Sequence, residues 1–337
     1  MNDSTAVENI PDRRIAEFRE RFVAVENEVG KLIVGQHAVL RKVLGAFFAG
    51  GHVLLEGVPG LGKTLIVRSV ATALGLSFKR IQFTPDLMPA DIIGTQLLVE
   101  ENAARTFRFR QGPIFSNIVL ADEINRASPK TQSAVLEAME ERQVTAFGET
   151  HVLEEPFFVL ATQNPIELEG TYPLPEAQLD RFLFKLLVGP PDGPELKQIL
   201  DRTTTETRPE VTTVFVGDRG REALMDMRRL VRQVLIAPPL VDYVVSLIGA
   251  TTPGATAIAA VRTYVRFGPG PRAAQAIVLG AKVNALLDGR AHASYDDIAG
   301  ALLPALRHRL ILNFQAEAEN VESDALIGEV VRGLRRP

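Results

Sequence analysis

The 337-residue chain contains no cysteine, which excludes disulfides, thiolate catalysis and cysteine-ligated zinc. Histidine is scarce as well. The five present, His37, His52, His151, His292 and His308, show no metal-ligand spacing and read as surface or core side chains. His308, within Arg307-His308-Arg309, is expected at a helix end, where positive charge suits the dipole. An excess of charge of either sign is also missing. The 37 basic and 41 acidic residues leave a formal net charge of -4, which gives no global pull toward nucleic acid or an anionic membrane. The most apolar stretch, Val43 to Leu55, is cut by Gly50, Gly51 and His52 and is too short to span a bilayer. Met1 to Arg14 has no apolar core, so no secretory signal is expected there. These absences point to a soluble cytoplasmic protein without membrane insertion, long enough for two domains.

What is present begins with Gly57-Val58-Pro59-Gly60-Leu61-Gly62-Lys63-Thr64, a complete phosphate-binding loop. It follows the apolar run Val53-Leu54-Leu55 and leads into Leu65-Ile66-Val67, the strand, loop and helix context that the motif requires. There the glycines let backbone N–H groups cradle phosphates at a helix N-terminus. Lys63 would reach the β and γ phosphates, and the Thr64 hydroxyl would ligate Mg²⁺. A plain glycine-rich turn would not account for Lys-Thr directly after the last glycine.

An opening helix from Arg14 to Leu32 carries Ile15, Phe18, Phe22, Val23, Val29 and Leu32 at helical spacing and is expected to pack on the nucleotide domain. Between Val34 and Val188, apolar runs alternate with helical patterns: Val53 to Leu55, Phe78 to Phe83, Ile118 to Ala121, Phe157 to Ala161 and Phe184 to Val188. That alternation predicts an α/β fold with a parallel sheet between helices. The breaker cluster Gly189-Pro190-Pro191-Asp192-Gly193-Pro194 reads as a linker, and nearly every later segment looks helical. The expected division is a helical segment over 1–32, an α/β domain over 33–189 and a helical domain over 190–337.

Ile118-Val119-Leu120-Ala121-Asp122-Glu123 is an apolar run ending in two carboxylates, beside the phosphate loop if the sheet is parallel. Asp122 would hold Mg²⁺, directly or through water, and Glu123 would orient and deprotonate an attacking water. Acid pairs also open helices. Asn164, after the apolar run Phe158 to Ala161, could bond both a γ-phosphate and water, although Asn164-Pro165 is an ordinary turn signal too. Arg181 lies between apolar residues before the last strand. It could stabilise charge on a transferring phosphoryl group, or form a local ion pair with Asp180. Two further segments read as hairpins. Phe107-Arg108-Phe109-Arg110 alternates with period two, and Arg142 to Val152 turns near Gly148. Interleaved arginines and aromatics could bind single-stranded nucleic acid, but two or three arginines on one strand more often form a solvated face.

Taken together, these motifs resemble an AAA+ ATPase, and specifically the MoxR family. The subfamily resemblance lies in Gln82 through Gly94, Gly112-Pro113-Ile114-Phe115 leading into Leu120 through Ala127, Ala161 through Pro165, Gly170 through Ala177, and Tyr264 through Gly268. It covers Ile33 to Arg309. The resemblance implies an AAA+ P-loop domain followed by a small all-α lid, and ATP hydrolysis with Mg²⁺. It also implies Asn164 as sensor 1, Arg181 as an arginine finger acting on a neighbour's γ-phosphate, and Arg272 as sensor 2. Val34, Gly35 and Gln36, within Ile33-Val34-Gly35-Gln36, resemble the segment that packs on adenine. Gly57, Val58, Pro59, Gly60, Leu61, Gly62, Lys63, Thr64 and Leu65 complete the nucleotide contacts. The chain departs from the family at Gly268-Pro269-Gly270-Pro271-Arg272, where the usual lid reads Gly-Ala-Ser-Pro-Arg. The implied partners are other copies in a ring, usually a hexamer, a client protein to be remodelled or matured, for instance by metal-cofactor insertion, and a von Willebrand factor A domain protein. A nucleic-acid motor or loader on the same fold, a metal-chelatase motor subunit and a P-loop small-molecule kinase are the alternatives.

Overall fold

Helices alternate with short strands through the first three-fifths of the chain, and helices dominate the rest, in the computed structural model, which describes residues 10–58, 60–101, 104–164, 170–205 and 209–336. The order opens with α1 (Asp12–Gly30), α2 (His37–Ala49), β1 (Val53–Glu56), α3 (Lys63–Leu74) and β2 (Phe78–Gln82). The short α4 (Pro89–Ile93) precedes a hairpin of β3 (Gly94–Glu101) and β4 (Ala104–Gln111). Next come β5 (Ile118–Asp122), α5 (Pro129–Glu141), a second hairpin of β6 (Gln143–Ala146) and β7 (Glu149–Val152), and β8 (Phe158–Gln163). After α6 (Glu176–Leu179) and β9 (Phe184–Leu187) follow α7 (Gly193–Thr203), α8 (Gly217–Gln233) and α9 (Pro238–Ala250). The last elements are α10 (Ala259–Tyr264), β10 (Val265–Phe267), α11 (Pro271–Leu287), α12 (Tyr295–Leu306), β11 (Ile311–Leu312), α13 (Phe314–Ala318) and α14 (Ser323–Gly333).

The five expected apolar runs form one parallel sheet in the order β2-β5-β8-β1-β9. β5 is buried along its whole length and β8 along all but its last residue, as continuous apolar runs are when both faces of a parallel sheet are covered. β2 is an edge strand, and its Lys79 and Arg80 are exposed. Leu54, Val119 and Val159 share one core with Leu136, Met139 and Phe157. His52 belongs to that core: its Nδ1 accepts from the Val159 N–H at 2.9 Å, and Nε2 lies 3.1 Å from the Met139 carbonyl, to which it donates in that tautomer. Both expected hairpins form. The second closes through Phe147 and Gly148 at φ 53° and 84°, the two left-handed positions that a type I′ turn demands. Period-two alternation puts Phe107 and Phe109 on one face of β4, and Phe109 stacks on His151 of the second hairpin at 4.5 Å.

The chain forms two units, Val25–Glu222 and the residues up to Ala24 together with those from Ala223 onward. This division falls downstream of the breaker cluster at 189–194, because the chain beyond that cluster is tied back to the first unit. Arg202 donates to the Gly30 and Lys31 carbonyls at 3.0 and 2.8 Å, Thr212 N–H to Glu28 at 2.9 Å, and Val214 N–H to the Ala73 carbonyl at 2.8 Å. The early part of α1 belongs to the helical unit, where Arg14 donates to Gln233 at 2.9 Å, and not to the nucleotide domain as its amphipathic pattern suggested. Its buried stripe runs Ile15, Phe18, Phe22, Val25, Val29, while Val23 is exposed. Val25 follows Phe22 by three and precedes Val29 by four, so it takes the place expected for Val23. In the helical unit, a capping box at Ser294 and Asp297 starts α12, and Asp297 takes two bonds from Arg290 at 2.7 and 2.9 Å. No helix among the described residues is long and apolar enough to cross a membrane.

Candidate functional site

The phosphate-type loop joins β1 to α3, and β1 lies inside the sheet between β8 and β9. A Cβ on Gly57 would lie 2.5 Å from the Val188 carbonyl oxygen, so the close approach of the chain after β9 requires glycine there. Gly62 caps α3 at φ 72°, which lets Lys63, Thr64 and Leu65 form the first turn with its free N–H groups at the positive end of the helix dipole. The Lys63 ammonium donates to the Gly57 carbonyl at 2.5 Å. Burial lowers its pKa from the ordinary lysine value, and the carboxylates of Asp122, Glu123 and Glu56 pull it partly back up. Lys63 and the acidic pair therefore face one another electrostatically. Val58 is half-buried, and Pro59 lies outside the described residues.

Asp122 ends β5, flanked by β2 and β8, and is buried. Its Oδ1 accepts from the Thr162 hydroxyl at 2.6 Å, and its Oδ2 accepts from Arg80 Nε and Nη2 at 2.9 and 2.7 Å. Glu123 follows in the left-handed conformation, φ 56° and ψ 50°, which turns its carboxylate away from the strand line. Its N–H donates to the Thr162 hydroxyl at 2.8 Å, so one hydroxyl orients both acids. Glu123 Oε2 accepts from Gln82 Nε2 at 2.8 Å and from Arg126 at 3.0 Å. The acids thus close a strand and open a 3₁₀ turn, Ile124–Arg126. Gln132 of α5 holds that turn, donating to the carbonyls of Ile124, Ala127 and Tyr172 at 3.2, 3.1 and 2.9 Å.

Asn164 is buried immediately after β8. There β8 pairs with β1, Gln163 opposite Glu56, and the Gly57 N–H donates to the Gln163 carbonyl at 3.3 Å, so the loop and Asn164 share one edge of the sheet. Arg181 lies just after α6. It donates to the Leu136 carbonyl at 2.7 Å and pairs with Glu140 of α5 at 2.9 Å, so its ion pair is made across elements. Arg272 belongs to the helical unit, in the first turn of α11 after Pro271.

A cavity of about 240 Å³ opens beside the loop. Gly60, Leu61, Gly62, Leu65 and Ile66 form one side, and Leu32, Ile33, Val34 and Gln36 another. Pro191, Ile199, Arg202 and Thr203 complete it, none of them foreseen from sequence, because their placement depends on α7 folding back. Gly35, at φ 74°, is backed by the Glu195 carboxyl instead. The arrangement is a phosphate-sized cradle next to an apolar slot, with two carboxylates at the cradle's edge. It fits a nucleotide whose base enters the slot and whose phosphates meet Lys63.

Comparison with known proteins agrees. Residues 52–184 match the model of the ATPase family associated with various cellular activities (AAA), and residues 257–330 match the AAA lid domain. The fold and this site therefore define a nucleotide-binding AAA ATPase with a parallel sheet flanked by helices and a helical lid. The chain is 42% identical to Chaperone MoxR1 of Mycobacterium tuberculosis, over 92% of this chain and 81% of that one. It is also 42% identical to the uncharacterized protein YeaC of Bacillus subtilis, over 93% of this chain and 94% of that one. The crystal structure of a protein from Cytophaga hutchinsonii assigned as an ATPase superposes with a TM-score of 0.87 at 38% identity, covering 96% of this chain and 97% of the other. The chain belongs to the MoxR family of AAA+ ATPases, and ATP hydrolysis is its activity.

Proposed function

We propose that the chain works as a ring-forming, Mg²⁺-dependent ATPase that spends hydrolysis on remodelling a client protein. The carrying observation is the shared Thr162 hydroxyl, which orients Asp122 and Glu123 together at the edge of a loop whose lysine feels both. Lys63 and the first-turn N–H groups of α3 bind the phosphates. Thr64 and Asp122 offer a hydroxyl and a carboxylate oxygen, hard donors that suit Mg²⁺, and the ion would neutralise phosphate charge. Glu123 accepts the proton of the attacking water, and Asn164 positions that water. The slot around Val34, Gln36 and Ile199 takes the base.

Arg181 serves the neighbouring subunit's γ-phosphate, held ready on α5 by Glu140 and the Leu136 carbonyl. Arg272, in the first turn of α11, serves as sensor 2. Six copies in a ring and a von Willebrand factor A domain partner fit this reading. That a 42% identical relative is named a chaperone supports the client role, maturation or metal-cofactor insertion included. The α/β unit, Val25–Glu222, would hold the nucleotide and the helical unit would act as the lid, with the cytoplasm as the setting.

ATPase rate measured against protein concentration tests the assembly. The specific rate should rise with concentration, Glu123→Gln should bind ATP yet lose hydrolysis, and Arg181→Ala should lose about 10³-fold or more. A concentration-independent rate with Arg181→Ala fully active would remove the trans-acting finger.

A further inference from the structure

Asp122 is doubly committed. Oδ1 takes the Thr162 hydroxyl at 2.6 Å, and Oδ2 takes both Nε and Nη2 of Arg80, at 2.9 and 2.7 Å. The pairing register accounts for the second bond. Gln82 on β2 lies opposite Asp122 on β5, and Arg80, two residues earlier, projects from the same face of the edge strand. Arg80 Nη2 also donates to Gln82 Oε1, and Gln82 Nε2 donates to Glu123 at 2.8 Å, so one guanidinium is tied to both carboxylates of the site. The Arg80 side chain is 47% exposed, whereas that of Asp122 is 12% exposed. The arginine can swing into water at small cost, and the aspartate cannot.

We propose that Arg80 is a positioning residue that competes with the divalent cation for Asp122. The proposal rests on the reading of Asp122 as the metal-binding carboxylate. A cation held by Asp122 would be repelled by the guanidinium that donates to its Oδ2, so Arg80 opposes metal binding for as long as that pair is made. Its withdrawal also releases Gln82 from the arginine, which makes the bond from Gln82 to Glu123 responsive to metal uptake. Arg80 thereby weakens cation binding at rest and couples it to the placement of the second acid. The half-exposed pair is of the modest kind, so the competition is worth about fivefold in affinity.

The experiment uses the full chain and Mn²⁺ as probe, with free Mn²⁺ followed by electron paramagnetic resonance in the presence of saturating non-hydrolysable ATP analogue. Arg80→Met should bind Mn²⁺ about fivefold more tightly than wild type, and Arg80→Lys, which keeps the charge and loses the fork, should fall between them. Asp122→Asn and the double variant Arg80→Met with Asp122→Asn should both bind weakly, which shows that the tightening runs through Asp122. Equal or weaker Mn²⁺ binding by Arg80→Met, with Asp122→Asn still impaired, overturns the proposal alone. Undiminished binding by Asp122→Asn overturns the reading of Asp122 beneath it. Should Arg80→Met fail to fold, Arg80→Lys carries the test, and wild-type affinity in that variant overturns the competition.

Discussion

Replacing Thr162 by valine isolates the bond that joins the two acids. Thr162 is fully buried, and valine keeps its β-branched shape, so packing is little disturbed. The hydroxyl has two jobs: it donates to Asp122 Oδ1 at 2.6 Å and accepts from the Glu123 N–H at 2.8 Å. Losing a hydrogen bond to a charged group costs about 1.5–3 kcal/mol, and leaving the part-buried Glu123 N–H without its partner costs up to about 1–3 kcal/mol. The two losses share one site and do not add fully, so about 3 kcal/mol is expected. For a unit of this size that corresponds to a fall of about 6–12 °C in Tm, read by scanning calorimetry. Function should suffer in a particular way. Glu123 occupies a left-handed conformation that costs a non-glycine residue about 1–2 kcal/mol, and its N–H bond helps hold it there. Freed, the carboxylate drifts from the water while the phosphate loop stays intact. The kcat of Thr162→Val should drop by about 10²-fold with KM for ATP nearly unchanged, and Thr162→Ser should recover most of both effects. A Thr162→Val protein that melts within about 2 °C of wild type and turns over ATP at the wild-type rate would refute the reasoning.

Two further outcomes follow from other parts of the chain. Asp297, buried in the helical unit, takes two bonds from Arg290 and two from Ser294, so Asp297→Asn should destabilise that unit by about 2–4 kcal/mol at neutral pH. Burial acts to raise the Asp297 pKa, but the bonds from Arg290 and Ser294 outweigh it, and the net shift is downward. A lowered carboxylate contributes fully above its ordinary value of about 4 and loses that contribution as pH falls below it, so the Tm gap between wild type and Asp297→Asn should narrow in acid. A gap that stays constant down to about pH 2 would contradict the assignment. Ile199→Ala, in the apolar slot, should weaken binding of a fluorescent ATP analogue about fivefold without altering the melting of either unit. An unchanged affinity would place the base elsewhere.

The inner strands β5 and β8 were legible because each is a nearly unbroken apolar run, as strands covered on both faces are, while β2 and β9 stood out by apolar residues interrupted by lysine or arginine. The phosphate loop was legible because its residues are contiguous. What escaped depends on register and return. Arg80 meets Asp122 only because β2 pairs with β5 with Gln82 opposite Asp122, and nothing in either segment alone announces that alignment. Glu140 finds Arg181 across two elements, and Pro191 and Ile199 reach the slot only after α7 folds back. The breaker cluster at 189–194 looked like a domain end because sequence shows the break but not Arg202 and Val214 stitching the chain to what came before. α13 and the two-residue β11 were too short for any periodicity to register.

The place of β1 in the sheet also bears on how the protein is made. Its edges pair with β8, Val53 beside Leu160, and with β9, Val53 beside Phe184, both far downstream, while β2, which follows it next in sequence, lies three strands away. Such non-local pairing is slow to form and arrives late. A nascent chain that has emerged only as far as β8 has the whole phosphate motif in sequence but one bare side on β1, the strand that leads into it. ATP binding should therefore appear late in synthesis, once Phe184 to Leu187 and the slot residues as far as Thr203 are laid down, and nucleotide in the cell will stabilise completed chains without rescuing partial ones.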